Sequence, residues 1–399
     1  INIRLNDKNM LLTMKKTVQA LIAGMVMLGA FVMPRPAASQ VPLSYKDGDR
    51  IRSLVMDGGD YNSKFYRIPA IEVLPDGTLI AVADKRIETS ADLPGKIDVV
   101  ARRSTDGGKT WGPYITVAEH NEDGGYGPPA IIRDRRTGDL IVISTHGNGL
   151  WNKAPGRTSI SRSRDGGLTW EKPVDVSDQI FTTDPNGKQP IKMTAGFASS
   201  GRALQLKNGR IMFVLVTRQE GVDPFPCYAI YSDNGGKTWK ASKMPATLDG
   251  DESKVVELPN GDVLMSIRAR FGKTRKFAIS KDKGETWKEL TDYNDLQDVR
   301  CNGDIIPVKY NGRDVLLQSL PAGPGRSNVT IYASYDGGKT WPRKCEVVRA
   351  PSAYSSMVLM PDGKTIAILT EEEAHNTDWK NYGYRIWFTS IPLSEILGE

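Results

Sequence analysis

The octapeptide STDGGKTW at residues 104–111 decides the fold, because near copies of it recur along the chain. Its Asp can accept hydrogen bonds from its own turn, its glycines adopt backbone conformations that other residues avoid, and its Trp buries apolar area between sheets. We therefore predict a structural role for each copy. A calcium loop is the rival interpretation, but the spacing offers too few ligands. Three copies keep the pattern Ser-x-Asp-x-Gly-x-Thr-Trp and a fourth has Asn in the Asp place, at 163–170, 280–287, 334–341 and 232–239 respectively.

A second repeat alternates with the octapeptide. It consists of two apolar, β-branched runs around an Asn-Gly or Asp-Gly turn or a close relative, which tolerates the positive φ of a type I′ hairpin. A hairpin followed by two strands that the octapeptide joins makes a four-stranded sheet. Six hairpins, the first five of them followed by an octapeptide, predict an all-β fold, a six-bladed β-propeller of four-stranded antiparallel sheets. Separate β-sandwich domains are the alternative, against which the even spacing argues. The hairpins span residues 73–83, 131–145, 204–217, 255–268, 308–319 and 358–369.

The beginning of the chain has the pattern of an export signal. Lys15 and Lys16 precede an apolar run at about 18–33, and AAS at 37–39 is typical of a cleavage site. We expect residues 1–13 to be upstream sequence, 14–39 to be a signal peptide, and 40–399 to form a single propeller domain that is periplasmic, surface-bound or secreted. A membrane anchor is the alternative, but the apolar run is shorter than the ~20 residues of a spanning helix. The mature protein is therefore expected to have no transmembrane span.

Charge and composition exclude several classes of function. Residues 1–39 carry five basic and one acidic side chain, so leaving them out lowers the formal net charge from +6 to +2. No general attraction to nucleic acid is then expected. Three cysteines can form at most one disulfide, and three histidines lack any paired spacing. We expect a monomer that needs neither a metal nor another cofactor.

Chemically active residues are predicted to gather at one end of the hairpins. Residues equally far before and after a turn lie at the same end, at about 3.3 Å per residue. Six such residues stand seven to nine positions from three of the turns, and the loops with Asp92 and Arg326 leave the same end. One propeller face thus collects arginines, carboxylates and a tyrosine, although ordinary rim charges are the alternative. The six residues are Arg67, Arg86, Glu252, Arg268, Tyr354 and Glu371.

These residues form a recognisable pattern. FYRIP at 65–69 resembles the Tyr/Phe-Arg-Ile-Pro motif of sialidases (neuraminidases), and the octapeptides resemble their Asp-boxes. DESKVVEL at 251–258 is similar to the segment that bears their catalytic Glu. The resemblance is to bacterial exo-sialidases of the glycoside hydrolase family 33 type and covers about residues 60–390. Asp-boxes also occur in propellers that are not enzymes, so the inference rests on their combination with the other motifs.

The resemblance implies a site for the carboxylate of sialic acid. Arg67, Arg268 and Arg326 would form an arginine triad, with Glu371 orienting Arg67. Arginine suits this task because its guanidinium is permanently charged and binds a carboxylate through two parallel hydrogen bonds.

Two parts of the substrate site stay open at this stage. Arg86 matches a family arginine near O4 of the sugar. At residues 126–129 the chain reads YGPP, with Pro128 where the family often has the Asp of Gly-Asp-Pro, so contacts to O4 and to the N-acetyl group are not assigned. Glu372 and Glu373 follow Glu371, so the orienting role could belong to a neighbour.

The resemblance also implies catalytic roles, with Asp92 as general acid/base, Tyr354 as nucleophile and Glu252 as its activating partner. A carboxylate nucleophile would approach a centre that already bears negative charge, at a cost of a few kcal/mol at ~4 Å. A neutral phenol avoids this repulsion, but its pKa near ~10 requires a base. Asp92 must be protonated when it meets the leaving oxygen, and we expect the necessary rise in its pKa to depend on substrate excluding water.

The function implied is that of an exo-α-sialidase, which hydrolyses terminal sialic acids from glycoproteins, gangliosides and oligosaccharides with retention of configuration. Two alternatives remain. One is a trans-sialidase, including an intramolecular one that yields an anhydro sugar. The other is a sialoglycan-binding propeller without turnover, which would have no use for a Glu beside a Tyr.

Overall fold

The computed structural model describes residues 44–150, 156–181, 193–219, 225–291, 293–373 and 383–398, and the expected signal peptide lies outside them. The described chain forms six sheets arranged as a six-bladed β-propeller, which confirms the prediction. The strands of blades 1 to 5 lie within residues 65–118, 125–175 with 201–202, 193–198 with 204–241, 253–290 and 304–346; those of blade 6 lie within residues 352–392 with 44–56.

The described residues form 28 strands. The first half consists of β1 (Ser44–Asp47), β2 (Arg50–Met56), β3 (Phe65–Val73), β4 (Leu79–Arg86), β5 (Ile97–Ser104), β6 (Ile115–Ala118), β7 (Gly125–Tyr126), β8 (Ala130–Arg133), β9 (Leu140–Gly147), β10 (Gly156–Ser163), β11 (Val174–Asp175), β12 (Met193–Ala198), β13 (Gly201–Arg202) and β14 (Leu204–Gln205). The second half consists of β15 (Ile211–Gln219), β16 (Cys227–Ser232), β17 (Lys240–Ala241), β18 (Ser253–Glu257), β19 (Val263–Ile267), β20 (Lys276–Ser280), β21 (Lys288–Leu290), β22 (Asp304–Tyr310), β23 (Arg313–Pro321), β24 (Val329–Ser334), β25 (Arg343–Glu346), β26 (Ser352–Leu359), β27 (Thr365–Glu372) and β28 (Arg385–Pro392). The helices are α1 (Ser177–Phe181), α2 (Leu393–Leu397) and a 3-10 turn (Asp60–Asn62).

Blade 6 takes its outer strands from the other end of the chain. β2 pairs antiparallel with β28, from Ile51 opposite Ser390 to Met56 opposite Ile386, and β1 adds a fifth strand. This pairing covers the free edge of β28 and joins the early and late parts of the propeller. Sequence analysis missed it because β2 carries neither repeat.

Blade 3 departs from the regular hairpin. β14 supplies only Leu204 and Gln205 as partners of β15, and β12 pairs with the remainder of that strand. Between them, β13 pairs in parallel with β8 of blade 2. The innermost strand of blade 3 is therefore interrupted, and two of its residues extend the neighbouring sheet.

The tight turns are mostly not of the type I′ expected from sequence. Only Asn311-Gly312 has positive φ at both positions, 48° and 78°. At Asp76-Gly77 only the glycine does, at 87°, and Leu74 exchanges backbone hydrogen bonds with Thr78 and Gly77. This is a three-residue loop that ends in a left-handed residue, the next most common hairpin connection.

The octapeptides make the hydrogen bonds predicted for a structural turn. Asp106 Oδ1 accepts from the backbone N–H groups of Lys109 and Thr110 at 3.0 Å each, and Oδ2 accepts from the Thr110 hydroxyl at 2.6 Å. Gly108 has φ of 86°, and a Cβ there would lie 2.1 Å from the ring of Phe388 in blade 6. The glycine is thus required both by conformation and by the close approach of the neighbouring blade.

The core lies between neighbouring blades rather than in one central cluster. Trp111 packs edge-on against Phe388, with ring centroids 5.6 Å apart, at the seam of blades 6 and 1. Trp239 and Trp341 are buried in the apolar clusters of the blade 2–3 and blade 4–5 seams. The octapeptide tryptophans therefore bury apolar area between sheets, as predicted. The three cysteines are buried free thiols.

Candidate active site

A pocket opens on the propeller face opposite the tight turns. Its walls include all the residues that sequence analysis placed at this end of the hairpins, except Glu371, which lies behind Arg67. The predicted residues that line it are Arg67, Arg86, Asp92, Glu252, Arg268, Arg326 and Tyr354.

Arg67 is held by Glu371 across the seam of blades 1 and 6. Its Nε donates to Glu371 Oε1 at 2.7 Å and its Nη2 to Oε2 at 3.3 Å. Glu371 is fully buried, and it also accepts from the backbone N–H groups of Ile68 and Tyr354. Ile68 has φ of 60°, an outlier for a β-branched residue. One carboxylate thereby fixes the arginine, a strained turn in β3 and the backbone of the predicted nucleophile.

The other two glutamates have different partners. Glu372 pairs with Arg52 at 2.7 Å, and Glu373 pairs with Arg385 at 2.9 Å. Of the three consecutive glutamates, Glu371 is therefore the one that contacts Arg67.

Tyr354 and Glu252 meet at the centre of the pocket, from blades 6 and 4. The Tyr354 hydroxyl donates to Glu252 Oε2 at 2.5 Å, and Arg268 Nη1 donates to both, at 3.0 Å to the phenol oxygen and 2.5 Å to the carboxylate. Burial raises the pKa of Tyr354 well above its usual value, and the Glu252 charge raises it further, against the effects of Arg268 and Arg326. The phenol is therefore neutral at rest, with an acceptor already in place for its proton.

The three arginines converge on this tyrosine. The guanidinium carbons of Arg67 and Arg326 lie 5.3 and 5.2 Å from the centroid of the Tyr354 ring, and Arg268 binds its hydroxyl. Cations over an aromatic face at this distance attract the ring. Blades 1, 4 and 5 thus present three permanent positive charges around one phenol.

Asp92 lies at the mouth of the pocket and contacts Arg86, whose Nη2 donates to Asp92 Oδ1 at 2.7 Å. Desolvation tends to raise the pKa of Asp92, but its side chain is 83% exposed, and Arg86 and Arg67 outweigh that tendency. The pKa of Asp92 is therefore below its usual value. A proton on this carboxyl requires a change in its surroundings.

Asp84 shares Arg86 with Asp92 and was not singled out from the sequence. Its Oδ2 accepts from Arg86 Nη2 at 3.0 Å, whereas its buried Oδ1 has no hydrogen-bond partner among the described residues. Burial raises the pKa of Asp84 to about 7, although the Arg86 charge opposes the rise. The signal was available, because Asp84 precedes Arg86 by two positions and so lies on the same side of β4.

The remaining walls are mostly apolar, with one further cation, Arg270, and one further carboxylate, Asp251. Gly127 and Pro128 of the YGPP stretch line the pocket next to Asp84, so that stretch does reach the site without supplying a carboxylate. The guanidinium of Arg270 lies 3.9 Å from the centroid of the Phe225 ring. Hairpin spacing says nothing about Arg270 and Phe225, so the sequence does not predict them. They are joined by Leu93, Ile97, Gly149, Leu150, Phe197 and Asp251.

Two further features bear on the type of site. Within the described residues, no group of three or more His, Cys, Asp or Glu side chains is placed to hold a metal ion. In the same part of the chain, neither helix has the length and hydropathy of a membrane span.

The fold and pocket define a propeller with Asp-box turns on one face and an arginine-rich, tyrosine-centred pocket on the other. Residues 77–368 match the family described as BNR repeat-like domain. Because this match covers well over half of the chain, the chain belongs to that family.

Relatives of the chain support the resemblance to bacterial sialidases. A sialidase of Micromonospora viridifaciens is 34% identical over 332 residues, 77% of this chain and 50% of the relative. A sialidase of Bacteroides fragilis is 32% identical over 374 residues, 86% of this chain and 65% of the relative. The chain thus spans between half and two thirds of the length of these relatives. A solved structure of a Hadza microbial sialidase aligns with a TM-score of 0.75 and 28% identity, over 86% of this chain and 69% of that one.

Proposed function

We propose that this protein is an exo-α-sialidase that hydrolyses terminal sialic acids from glycans with retention of configuration, through Tyr354 as nucleophile. The observation that carries the proposal is the 2.5 Å hydrogen bond from the Tyr354 hydroxyl to Glu252, surrounded by three arginines. A buried phenol against a carboxylate can act as a nucleophile whose proton has a destination. The cations suit a substrate that carries its own carboxylate at the reacting carbon.

Substrate binding would begin with the arginines. Arg67 and Glu371 are already paired, so the guanidinium presents its remaining N–H donors in one orientation. Arg268 uses Nη1 on Glu252 and Tyr354, which leaves Nη2 for the sugar carboxylate. Because the carboxylate is bound in both the ground state and the transition state, these contacts contribute chiefly to affinity.

Attack of the Tyr354 oxygen on the anomeric carbon would transfer its proton to Glu252 and form a glycosyl–tyrosine bond. The bond to the leaving oxygen breaks as Asp92 donates a proton to that oxygen. Water activated by the Asp92 carboxylate then displaces the tyrosine, which takes back its proton. Two displacements at one carbon retain configuration.

A general acid must be protonated, so the low pKa of Asp92 is compatible with these reaction steps only if bound substrate raises that pKa. A sugar carboxylate partly neutralises Arg67 and Arg326, two of the charges that lower the pKa of Asp92. The aglycone also excludes water from an otherwise exposed side chain, and desolvation raises the pKa of a carboxyl group. The general acid is thus prepared by the substrate itself.

Export remains part of the proposal and rests on the signal-like pattern of residues 14–39 alone, from which we infer a periplasmic, cell-surface or secreted enzyme. The substrates are then glycoproteins, gangliosides and oligosaccharides with terminal sialic acid.

The decisive experiment is turnover of a fluorogenic α-sialoside with the products followed by NMR. We expect free N-acetylneuraminic acid, released first as the α anomer, and a fall in kcat of about 10³-fold or more in Tyr354→Phe, because only the nucleophilic oxygen is removed. Tyr332→Phe is the matched control, since Tyr332 is buried in β24 outside the pocket.

Other outcomes identify the alternatives. An anhydro sugar as the main product would indicate an intramolecular trans-sialidase, and a sialylated acceptor would indicate transfer. Binding of the sialoside without turnover in the wild type would leave a glycan-binding propeller. Wild-type rates in Tyr354→Phe would remove the tyrosine mechanism.

A further inference from the structure

Two of the three arginines around Tyr354, Arg268 and Arg326, are held in place by one buried carboxylate, Asp298, which does not line the pocket. Its side chain is inaccessible to solvent, and it lies in the segment that connects blade 4 to blade 5. The chemistry proposed above does not use it.

Asp298 reaches Arg268 through the backbone. Its Oδ2 accepts from the N–H of Ala269 at 3.0 Å, and Ala269 follows Arg268 directly. The N–H of Arg268 in turn donates to the carbonyl of Glu252 at 3.1 Å. The backbone on both sides of the Arg268 Cα is therefore hydrogen-bonded, which fixes the direction of its side chain just after the end of β19.

The other oxygen reaches Arg326. Asp298 Oδ1 accepts from the N–H groups of Arg300 at 2.7 Å and Cys301 at 3.3 Å, and so holds a turn in which Arg300 has a φ of 57°. This left-handed residue directs its carbonyl oxygen at Arg326, whose Nη2 donates to it at 3.1 Å. A non-glycine residue keeps such a conformation only where its surroundings impose it.

Arg275 completes the arrangement. Its Nη1 donates to Asp298 Oδ2 at 3.0 Å and to the carbonyl of Cys301 at 3.1 Å, and its Nε donates to Ser266 at 2.9 Å. Both charged side chains are fully buried. Removing one partner of such a pair leaves an uncompensated buried charge, whereas replacing both with neutral groups is often tolerated.

We propose that Asp298 is a positioning residue that sets the spacing of Arg268 and Arg326, and with it the affinity for the substrate carboxylate. The proposal rests on the function proposed above. The arginines bind the carboxylate before and during reaction, so their misplacement weakens ground-state and transition-state binding alike. The signature of such a loss is a raised KM with little change in kcat.

The test is a kinetic comparison of Asp298→Asn with Asp139→Asn, using a fluorogenic sialoside. Asp139 is a matched control, because it pairs with Arg162 at 2.9 Å in a largely buried position outside the pocket. We expect KM to rise about tenfold in Asp298→Asn with kcat within about threefold of wild type, and neither constant to change in Asp139→Asn. A role in stability alone would lower the active fraction, and so kcat, with KM unchanged; that result would overturn the proposal.

A second variant covers the case in which Asp298→Asn does not fold. Asp298→Asn combined with Arg275→Met removes both charges, and we expect it to fold and to keep the raised KM. A folded double variant with the wild-type KM would refute the positioning role.

Calorimetric titration with free N-acetylneuraminic acid separates this proposal from the proposed function. A wild type without turnover would contradict the sialidase, while a Kd raised about tenfold in the variant would still support the positioning of the arginines. An unchanged Kd in a folded variant would count against the positioning role whether or not the wild type turns substrate over.

Discussion

On the two faces of the propeller, Asp106 and the pocket glutamates Glu252 and Glu371 have partners of opposite kinds. On the Asp-box face, Asp106 is hydrogen-bonded by Ser104, Lys109 and Thr110, all within four positions of it. On the pocket face, Glu252 binds a tyrosine 102 positions away, and Glu371 binds an arginine 304 positions away. The Asp106 carboxylate accepts all these hydrogen bonds from its own turn, so its role is to stabilise that turn. The pocket glutamates depend on other blades, and their partners are the groups that would touch substrate.

The pKa values of Asp106 and Asp84 show a related contrast. Desolvation tends to raise the pKa of Asp106, but hydrogen bonds from Thr110, Ser104 and Lys109 together outweigh it and lower the pKa to about 2. Asp84 in the pocket has a pKa raised to about 7 by burial. Of these two carboxyls, only Asp84 has a pKa at which its protonation state changes near neutral pH.

The largest effect is expected where the pocket carboxylate accepts a proton. Glu252→Gln keeps the size of the side chain but removes the base, so we expect kcat for a sialoside to fall about 10³-fold. Glu257→Gln is the control, because Glu257 lies at the other end of β18 and binds the backbone of Lys207. Steady-state kinetics check this. A loss of kcat below tenfold in Glu252→Gln would mean that Glu252 does not act as a base, and that the two faces differ only in where the partners of their carboxylates lie.

An intermediate effect is expected for the buried pocket carboxyl Asp84. Because its folded pKa of about 7 lies above the unfolded value near ~3.9, its contribution to stability is complete below about pH 4 and is lost as the pH rises through 7. Between pH 5 and 7 the wild type should lose about 2 kcal/mol of unfolding free energy that Asp84→Asn does not lose. Urea unfolding at both pH values measures this, and parallel pH dependences in the two proteins would show that Asp84 is ionised throughout.

The smallest effect is expected on the Asp-box face. Asp106→Ala removes exposed turn hydrogen bonds, which should cost about 1 kcal/mol of unfolding free energy at neutral pH and leave kcat and KM unchanged. The lowered pKa means that this contribution is present above about pH 4 and is lost as the pH falls toward 2. Thermal unfolding measures the loss of stability, and sialoside kinetics on the same preparation measure kcat and KM. A changed KM would show that the Asp-box turn affects substrate binding on the opposite face.

Local patterns in the sequence predicted the repeating parts of the fold. The Gly-containing turns and the Asp-box octapeptides act within a few residues, so hairpins and blades could be counted without coordinates. The closure of blade 6 by β2 could not be predicted this way, because β2 binds a strand more than 300 positions away through backbone groups that leave no local signature. The interruption of blade 3 escaped for the same reason, since β13 pairs with a strand of another blade.

The site also has a part that the sequence predicted and a part that it did not. Position along the hairpins was enough to predict that Arg67, Arg268 and Tyr354 share one face, since two-residue periodicity and strand length are set by the backbone. The roles came from family resemblance. Neither source pointed to Asp84 or Asp298, whose importance depends on which arginine each one faces.

By itself, the sequence determined how many blades form, where each strand turns and which ends of the hairpins carry charge, because turns and strand alternation are decided by neighbours along the chain. Only the tertiary structure decided which carboxylate contacts which arginine and that the pKa of Asp92 lies below its usual value. It also decided that Asp298 holds the backbone next to Arg268 and the turn that contacts Arg326. Those outcomes depend on burial and on distances between blades, and burial and distance exist only once the propeller has closed.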